Sequence, residues 1–256
     1  MRLVVLGGAA ACPNPDQGCS GYLVESNGVQ VLLDCGSDTL STLRAVTDFR
    51  SIAMIIISHI HSDHTLDLVP YRYGLKYAPG GPSHQIPLWM PPGGKHFLHM
   101  MAAAFGTGTE EVSSYFDVFA IQEYDPKWPA DVGPFAIRFH RTHHYIPAWA
   151  IRLEADGKSL VYLSDTGPDP ALIDFARDAD LLICEGTHLD VPEGLLPSEM
   201  GHLTARQAGE TAAAAGAHKL LLTHLWAELG FDRYRQDAES VFSPVIIAQP
   251  KLEIEV

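Results

Sequence analysis

The chain has 256 residues, 46% of them apolar and only 19% charged, which suits one large or two small α/β domains and excludes a mostly disordered protein. Lys and Arg number 17 against 31 Asp and Glu, a net charge of −14 and the wrong sign for a surface that grips nucleic acid through its phosphates. No uncharged apolar run reaches the roughly 18–20 residues that span a bilayer, and 13 histidines set the composition apart.

Arg2–Leu6 reads as a first strand stopped by Gly7-Gly8, and Tyr22–Glu25 and Val29–Asp34 flank Asn27-Gly28, a hairpin signal. Ile52–Ile57 is a short continuous apolar run, as expected of a strand buried on both faces. Residues 70–118 are rich in Pro, Gly, Met and aromatics, with a helix expected around Lys95–Phe105. They read as an insertion that packs on a sheet edge, or as a lid or interface over a site. Further strands are expected at Phe135–Phe139, Trp149–Glu154, Leu160–Ser164, Leu181–Cys184 and Lys219–Thr223, with a hairpin at Asp156-Gly157. Helices are expected near Pro170–Asp178 and over Ala205–Ala215, the latter with Thr204 and Gln207 spaced as a capping box and Gly216 as its stop. Each half thus offers a hairpin, more strands and a covering helix, which predicts one domain over 1–256 built as a four-layer αββα sandwich.

The four cysteines, Cys12, Cys19, Cys35 and Cys184, have no CxxC spacing and read as isolated thiols of a reducing compartment. The opening MRLVVLGGAAAC has too short an apolar part and too little basic charge for a signal sequence. A cytoplasmic protein is the expectation.

The chemistry concentrates in Ser58-His59-Ile60-His61-Ser62-Asp63-His64, directly after the apolar run 52–57. In an extended segment His59 and His61 point the same way and can share an ion. A turn into helix then redirects Asp63 and His64 towards a neighbouring position, so two adjacent metals are favoured over one. Solvated loop residues have no reason to cluster in this way. Three more candidates follow apolar strands: the pair His143-His144, Asp165 and His224. Ligand sites in α/β sheets gather at the carboxyl ends of strands. Nitrogen and carboxylate donors without thiolate suit Zn2+, with Mn2+ or Fe as alternatives. Two such ions roughly 3.5–4 Å apart can activate a bridging water and clamp an anionic reacting group.

These residues resemble the metallo-β-lactamase-fold hydrolases, whose HxHxDH signature is matched by His59 to His64. The resemblance extends to Asp34-Cys35-Gly36, Ser164-Asp165-Thr166-Gly167 and Leu222-Thr223-His224. Gly18-Cys19-Ser20-Gly21-Tyr22 and Gly201-His202-Leu203-Thr204 point to the ribonuclease Z-like branch, a layout shared with the atypical class II cyclic-nucleotide phosphodiesterases, whose likeness also runs through Asp67-Leu68-Val69-Pro70. The resemblance implies His59, His61 and His144 on a first divalent metal, Asp63, His64 and His224 on a second, and Asp165 between them. His144 is preferred to His143 because Pro147-Ala148 follows it at the family's spacing. By the same resemblance His202 steadies a scissile phosphate or protonates its leaving group, Glu185 orients His202, and Asp34 braces the ligand loop.

Only 19 residues separate Asp165 from Glu185, too few for the arm with which ribonuclease Z grips tRNA. The expectation is therefore a phosphodiesterase for a small anionic phosphodiester, a cyclic nucleotide or cyclic phosphate, with no nucleic-acid or membrane partner and with a homodimer possible. An armless RNA nuclease and a lactone or thioester hydrolase are the alternatives. A diiron redox protein is disfavoured, since such relatives carry Glu where His61 stands. Tyr71, Tyr73, Tyr77, Trp89 and Phe97 offer either core packing or a stacking wall. His84, His96, His99, His140 and His218 read as surface or packing residues, and His188 as a non-ligand close to the site.

Overall fold

The computed structural model describes residues 1–81, 84–106 and 112–256. In chain order the strands are β1 (Arg2–Gly7), β2 (Gly21–Ser26), β3 (Val29–Leu33), β4 (Met54–Ile56), β5 (Ile86–Met90), β6 (Phe119–Glu123), β7 (Ala130–Val132), β8 (Phe135–Arg141), β9 (Trp149–Ala155), β10 (Lys158–Tyr162), β11 (Leu181–Glu185), β12 (Leu220–Thr223), β13 (Val245–Ile247) and β14 (Glu253–Glu255). The helices are α1 (Thr39–Val46), α2 (Ser62–Thr65), α3 (Leu68–Tyr77), α4 (Gly94–Phe105), α5 (Pro170–Phe175), α6 (Ala205–Ala215) and α7 (Phe231–Glu239).

Two sheets form, one ordered β14-β1-β2-β3-β4-β5-β6 and the other β13-β12-β11-β10-β9-β8-β7. In each, an antiparallel meander is continued by parallel strands, β3 to β6 in the first and β10 to β13 in the second. Period-2 alternation explains how the layers stack. Leu3, Val5, Val31, Leu33, Met54 and Ile56 face Ile151, Leu160, Tyr162, Leu181, Ile183 and Leu221 across the inter-sheet core. The intervening residues face outwards. Val4, Leu32 and Ile55 pack with Leu43, Tyr71 and Leu98 of α1, α3 and α4. Val161, Leu182 and Leu222 pack with Leu172, Ala208 and Tyr234 of α5, α6 and α7. The result is the expected αββα sandwich.

Among the described residues of 70–118 the expected packing on a sheet edge is not what forms: β5 lies inside the first sheet, pairing with β4 and β6, and Tyr71, Leu75, Ile86, Leu88, Leu98 and Tyr115 belong to its outer core. Pro87 hides the strand in the sequence. The Ile86 N–H donates to Val118 O on the β6 side, so alternation turns the Pro87 nitrogen towards β4, whose pairing starts only at Leu88. The 52–57 run also shortens, to Met54–Ile56.

Candidate metal centre

Six segments leave the strands at one mouth of the sandwich. Asp34 follows β3, residues 58–64 follow β4, His144 follows β8, Asp165 follows β10, Glu185 ends β11 and His224 follows β12. Asp34, Ser164 and His224 each take φ of 58°, a left-handed turn costly for residues with a side chain. Each turns the chain just past its strand, beside the centre. Gly36 is needed for a close approach here, because a Cβ on it would meet the Asp63 carbonyl oxygen at 1.9 Å.

The expected ligands fall into two adjoining groups, His59, His61, His144 and Asp165 in one and Asp63, His64, Asp165 and His224 in the other. In the first, His61 Nδ1 lies 3.1 Å from both His59 Nε2 and His144 Nε2, and Asp165 Oδ2 lies 3.6 Å from His59 Nε2. In the second, Asp63 Oδ2 is 3.4 Å from His64 Nε2 and 3.2 Å from His224 Nε2, while Asp165 Oδ1 is 3.3 Å from His64 Nε2. Donors about 2.0–2.1 Å from a tetrahedral ion stand about 3.3 Å from each other, so both groups have the dimensions of a metal cage. Asp165, in both, is placed to bridge them.

Hydrogen bonds behind the rings set which nitrogen faces inwards. His64 Nδ1 donates to Asp34 Oδ2 at 2.7 Å, and His144 Nδ1 donates to the Gly201 carbonyl at 2.8 Å. The Thr187 hydroxyl donates to Glu185 at 2.5 Å and so accepts from His224 Nδ1 at 2.7 Å. Ser58 Oγ donates to Asp34 at 2.8 Å and accepts from His59 Nδ1 at 3.1 Å. In each case the remaining nitrogen is left to bind an ion, the tautomer that coordination requires. His64 Nε2 is buried without a hydrogen-bond partner, which is costly unless an ion completes it. The residues fit a pair of divalent cations.

Electrostatics agree with that fit. Burial, reinforced by His64, holds His59 well below the usual imidazole range, and burial also lowers His61 and His144. For Asp165 burial works the other way, but His224 and His64 prevail and hold it well below the usual carboxylate range. His64 is the exception: burial disfavours its charge, yet Asp165 and Asp34 raise it well above 6.5.

His202 lies over both groups, its ring stacked on His224 at 5.3 Å and edge-on to His144 at 4.9 Å. Its Nδ1 donates to Glu185 Oε1 at 2.9 Å. Burial lowers its pKa, but the Glu185 charge and hydrogen bond outweigh this and hold it up to about 9. Glu185, 1% exposed, also accepts from the Thr166 and Leu203 amides at 2.7 and 3.2 Å. Asp34 accepts from the Ser58 amide and from Tyr162 Oη, both at 2.7 Å, besides Ser58 Oγ and His64.

Other histidines lie apart. His143 is exposed, with Nε2 3.0 Å from the Ser198 carbonyl, and His188 is 6.0 Å from His202 in none of the donor groups. His84, His96 and His99 are exposed, His140 packs on Phe175, and exposed His218 is 3.6 Å from Asp180. The aromatic wall is elsewhere too. Tyr71 packs on Phe49 and Phe119, Tyr73 and Tyr77 stack on each other, and Trp89 and Phe97 border the two cores. Sequence reading missed Ser58, Tyr162 and Thr187, whose roles depend on strand register or, for Tyr162, on the packing of the two sheets, and carry no local signal. It also missed Tyr145, whose ring is 5.2 Å from His144.

Fold and centre together are those of a metallo-hydrolase. A family model described as Beta-lactamase superfamily domain matches residues 30–225, and the chain belongs to that superfamily. It is 30% identical over 245 residues to the probable metallo-hydrolase YhfI of Bacillus subtilis, covering 95% of this chain and 94% of that one. The crystal structure of YhfI superposes with a TM-score of 0.86 at 28% identity, over 99% of this chain and 98% of the other. A ribonuclease Z of Gemmatimonas aurantiaca is 27% identical, covering 98% of this chain and 94% of the relative.

Proposed function

We propose that the protein is a zinc-dependent phosphodiesterase of the cytoplasm that hydrolyses a small anionic phosphodiester, a cyclic nucleotide or cyclic phosphate. The observation that carries this reading is the pair of half-buried His202 and buried Glu185 set over both donor groups. When bound, two divalent ions supply Lewis acidity and lower the pKa of a water at the site. The protein does the rest. Asp63 directs Oδ2 at His64, His224 and the Ala11 amide, and its other oxygen orients the attacking water. His202 gives Nδ1–H to Glu185, which leaves the Nε2 proton for the departing oxygen. A pKa of about 9 keeps that proton in place at neutral pH.

Substrate size follows from what surrounds the centre. The stretch from Asp165 to Glu185 holds only a loop, α5 and the approach to β11, so among the described residues no arm for RNA projects there. The net charge of −14 further opposes a polyanionic partner. No helix of the described residues is long and apolar enough to cross a membrane.

The test is hydrolysis of bis(p-nitrophenyl) phosphate by protein loaded with zinc or manganese, with Asp63→Ala alongside. Turnover by wild type that is lost in the variant supports the reading. A fully metallated wild type that cleaves lactones or thioesters, and no phosphodiester, overturns it.

A further inference from the structure

Tyr145 follows His144 directly and is 62% exposed, unusual for a large aromatic held at a binding centre. Its ring is fixed from below. A Cβ built on Gly201 would lie 2.6, 2.6 and 2.8 Å from three consecutive ring carbons, and near-equal distances of this kind put Gly201 against the face of the ring and not its edge. The Gly201 carbonyl is also the acceptor that orients His144, so the ring is seated on the scaffold of the centre itself. Its centroid is 5.7 Å from that of His202. One face is therefore packed on backbone, and most of the ring remains open beside the group that meets the leaving oxygen.

We infer, building on the phosphodiesterase reading, that Tyr145 is the specificity platform of the site, on which a flat heterocycle joined to the scissile phosphate stacks. The chemical class this selects is a nucleotide, in preference to a sugar or alkyl phosphodiester. Packing of the core does not need this side chain, and a hydrogen-bonding role would not need its face left open. Tyrosine suits the task because it offers a large rigid face while few torsions are frozen on binding. Stacking of one base on an aromatic ring is worth enough to change affinity about tenfold or more.

Two esters with the same leaving group isolate the effect: p-nitrophenyl thymidine 5′-phosphate and p-nitrophenyl methyl phosphate. Tyr145→Ala should lower the ratio of kcat/KM for the nucleotide ester over the methyl ester about tenfold, chiefly through KM. Tyr145→Phe should hold that ratio within about twofold of wild type. An equal fall for both esters in Tyr145→Ala, or a Tyr145→Phe ratio as low as that of Tyr145→Ala, overturns the platform. Binding is read without turnover through Tyr145→Trp, whose added fluorescence should be quenched by adenosine 5′-monophosphate and not by ribose 5-phosphate. Selective quenching with no hydrolysis of either ester leaves the platform standing and removes the phosphodiesterase. Hydrolysis of both esters with neither selective quenching nor a changed ratio does the reverse, and failure of every arm removes both.

Discussion

Glu185 gathers the Thr166 and Leu203 amides, the Thr187 hydroxyl and His202 around one buried carboxylate, and through Thr187 it also steadies His224. In the proposed mechanism it acts by positioning. Its charge raises the His202 pKa to about 9, so the acid form is populated below that pH and lost as pH rises through it. Glu185→Gln should therefore move the basic limb of the kcat/KM profile to lower pH, a shift that a purely structural role would not produce. His202→Ala should retain both metals by elemental analysis while kcat falls about a hundredfold or more. Asp34 is a different kind of residue, since its loss strands four buried donors. Asp34→Ala should cost about 3 kcal/mol in urea unfolding. At this scale the grouping of the candidate ligands was legible because two-residue spacing on an extended segment aims two histidines at one point. Tyr162 and Thr187 were not, because only the packing of one sheet on the other brings Tyr162 to Asp34, and only the register of β11 with β12 brings Thr187 to His224.

Among the elements, α6 was readable to its ends because its boundary chemistry is local. Thr204 and Gln207 form the reciprocal capping box, and Gly216 closes the helix at φ 67°. Thr204→Ala should cost about 1 kcal/mol of stability in chemical denaturation, with metal content unaltered. Three helices, α1, α3 and α7, escaped notice, two of them for equally local reasons. α1 starts at Asp38 with no side-chain cap and ends at Thr47 without glycine. α7 buries only Tyr234 and Ala238, too narrow a stripe to register as amphipathic periodicity. The strand β5 was concealed by Pro87, tolerated only because its neighbour β4 is so short.

For the whole molecule, metal loading is expected to couple to assembly. Each donor group takes residues from loops of both sheets: His59 and His61 meet His144 and Asp165, and Asp63 and His64 meet Asp165 and His224. Without metal His64 is held well above 6.5 by Asp165 and Asp34, against its burial, so an arriving ion must displace that proton. Metal affinity should accordingly rise between pH 6 and pH 8, as read by competition with a chromogenic chelator. An affinity flat across that range would show that His64 carries no proton to lose.

Because the candidate donors come from opposite sheets, ions held there would fasten the sandwich at its mouth as a clasp closes a book, while the apolar pages hold it along their length. Metal supply then governs exposure as well as chemistry. A chain starved of metal would gape at the 58–67, 165–169 and 224–230 loops, where a protease finds backbone before it finds any side chain of the core. Nicking at those loops after chelation, suppressed when zinc is restored, would mark the protein's turnover in a cell as a gauge of its metal ration.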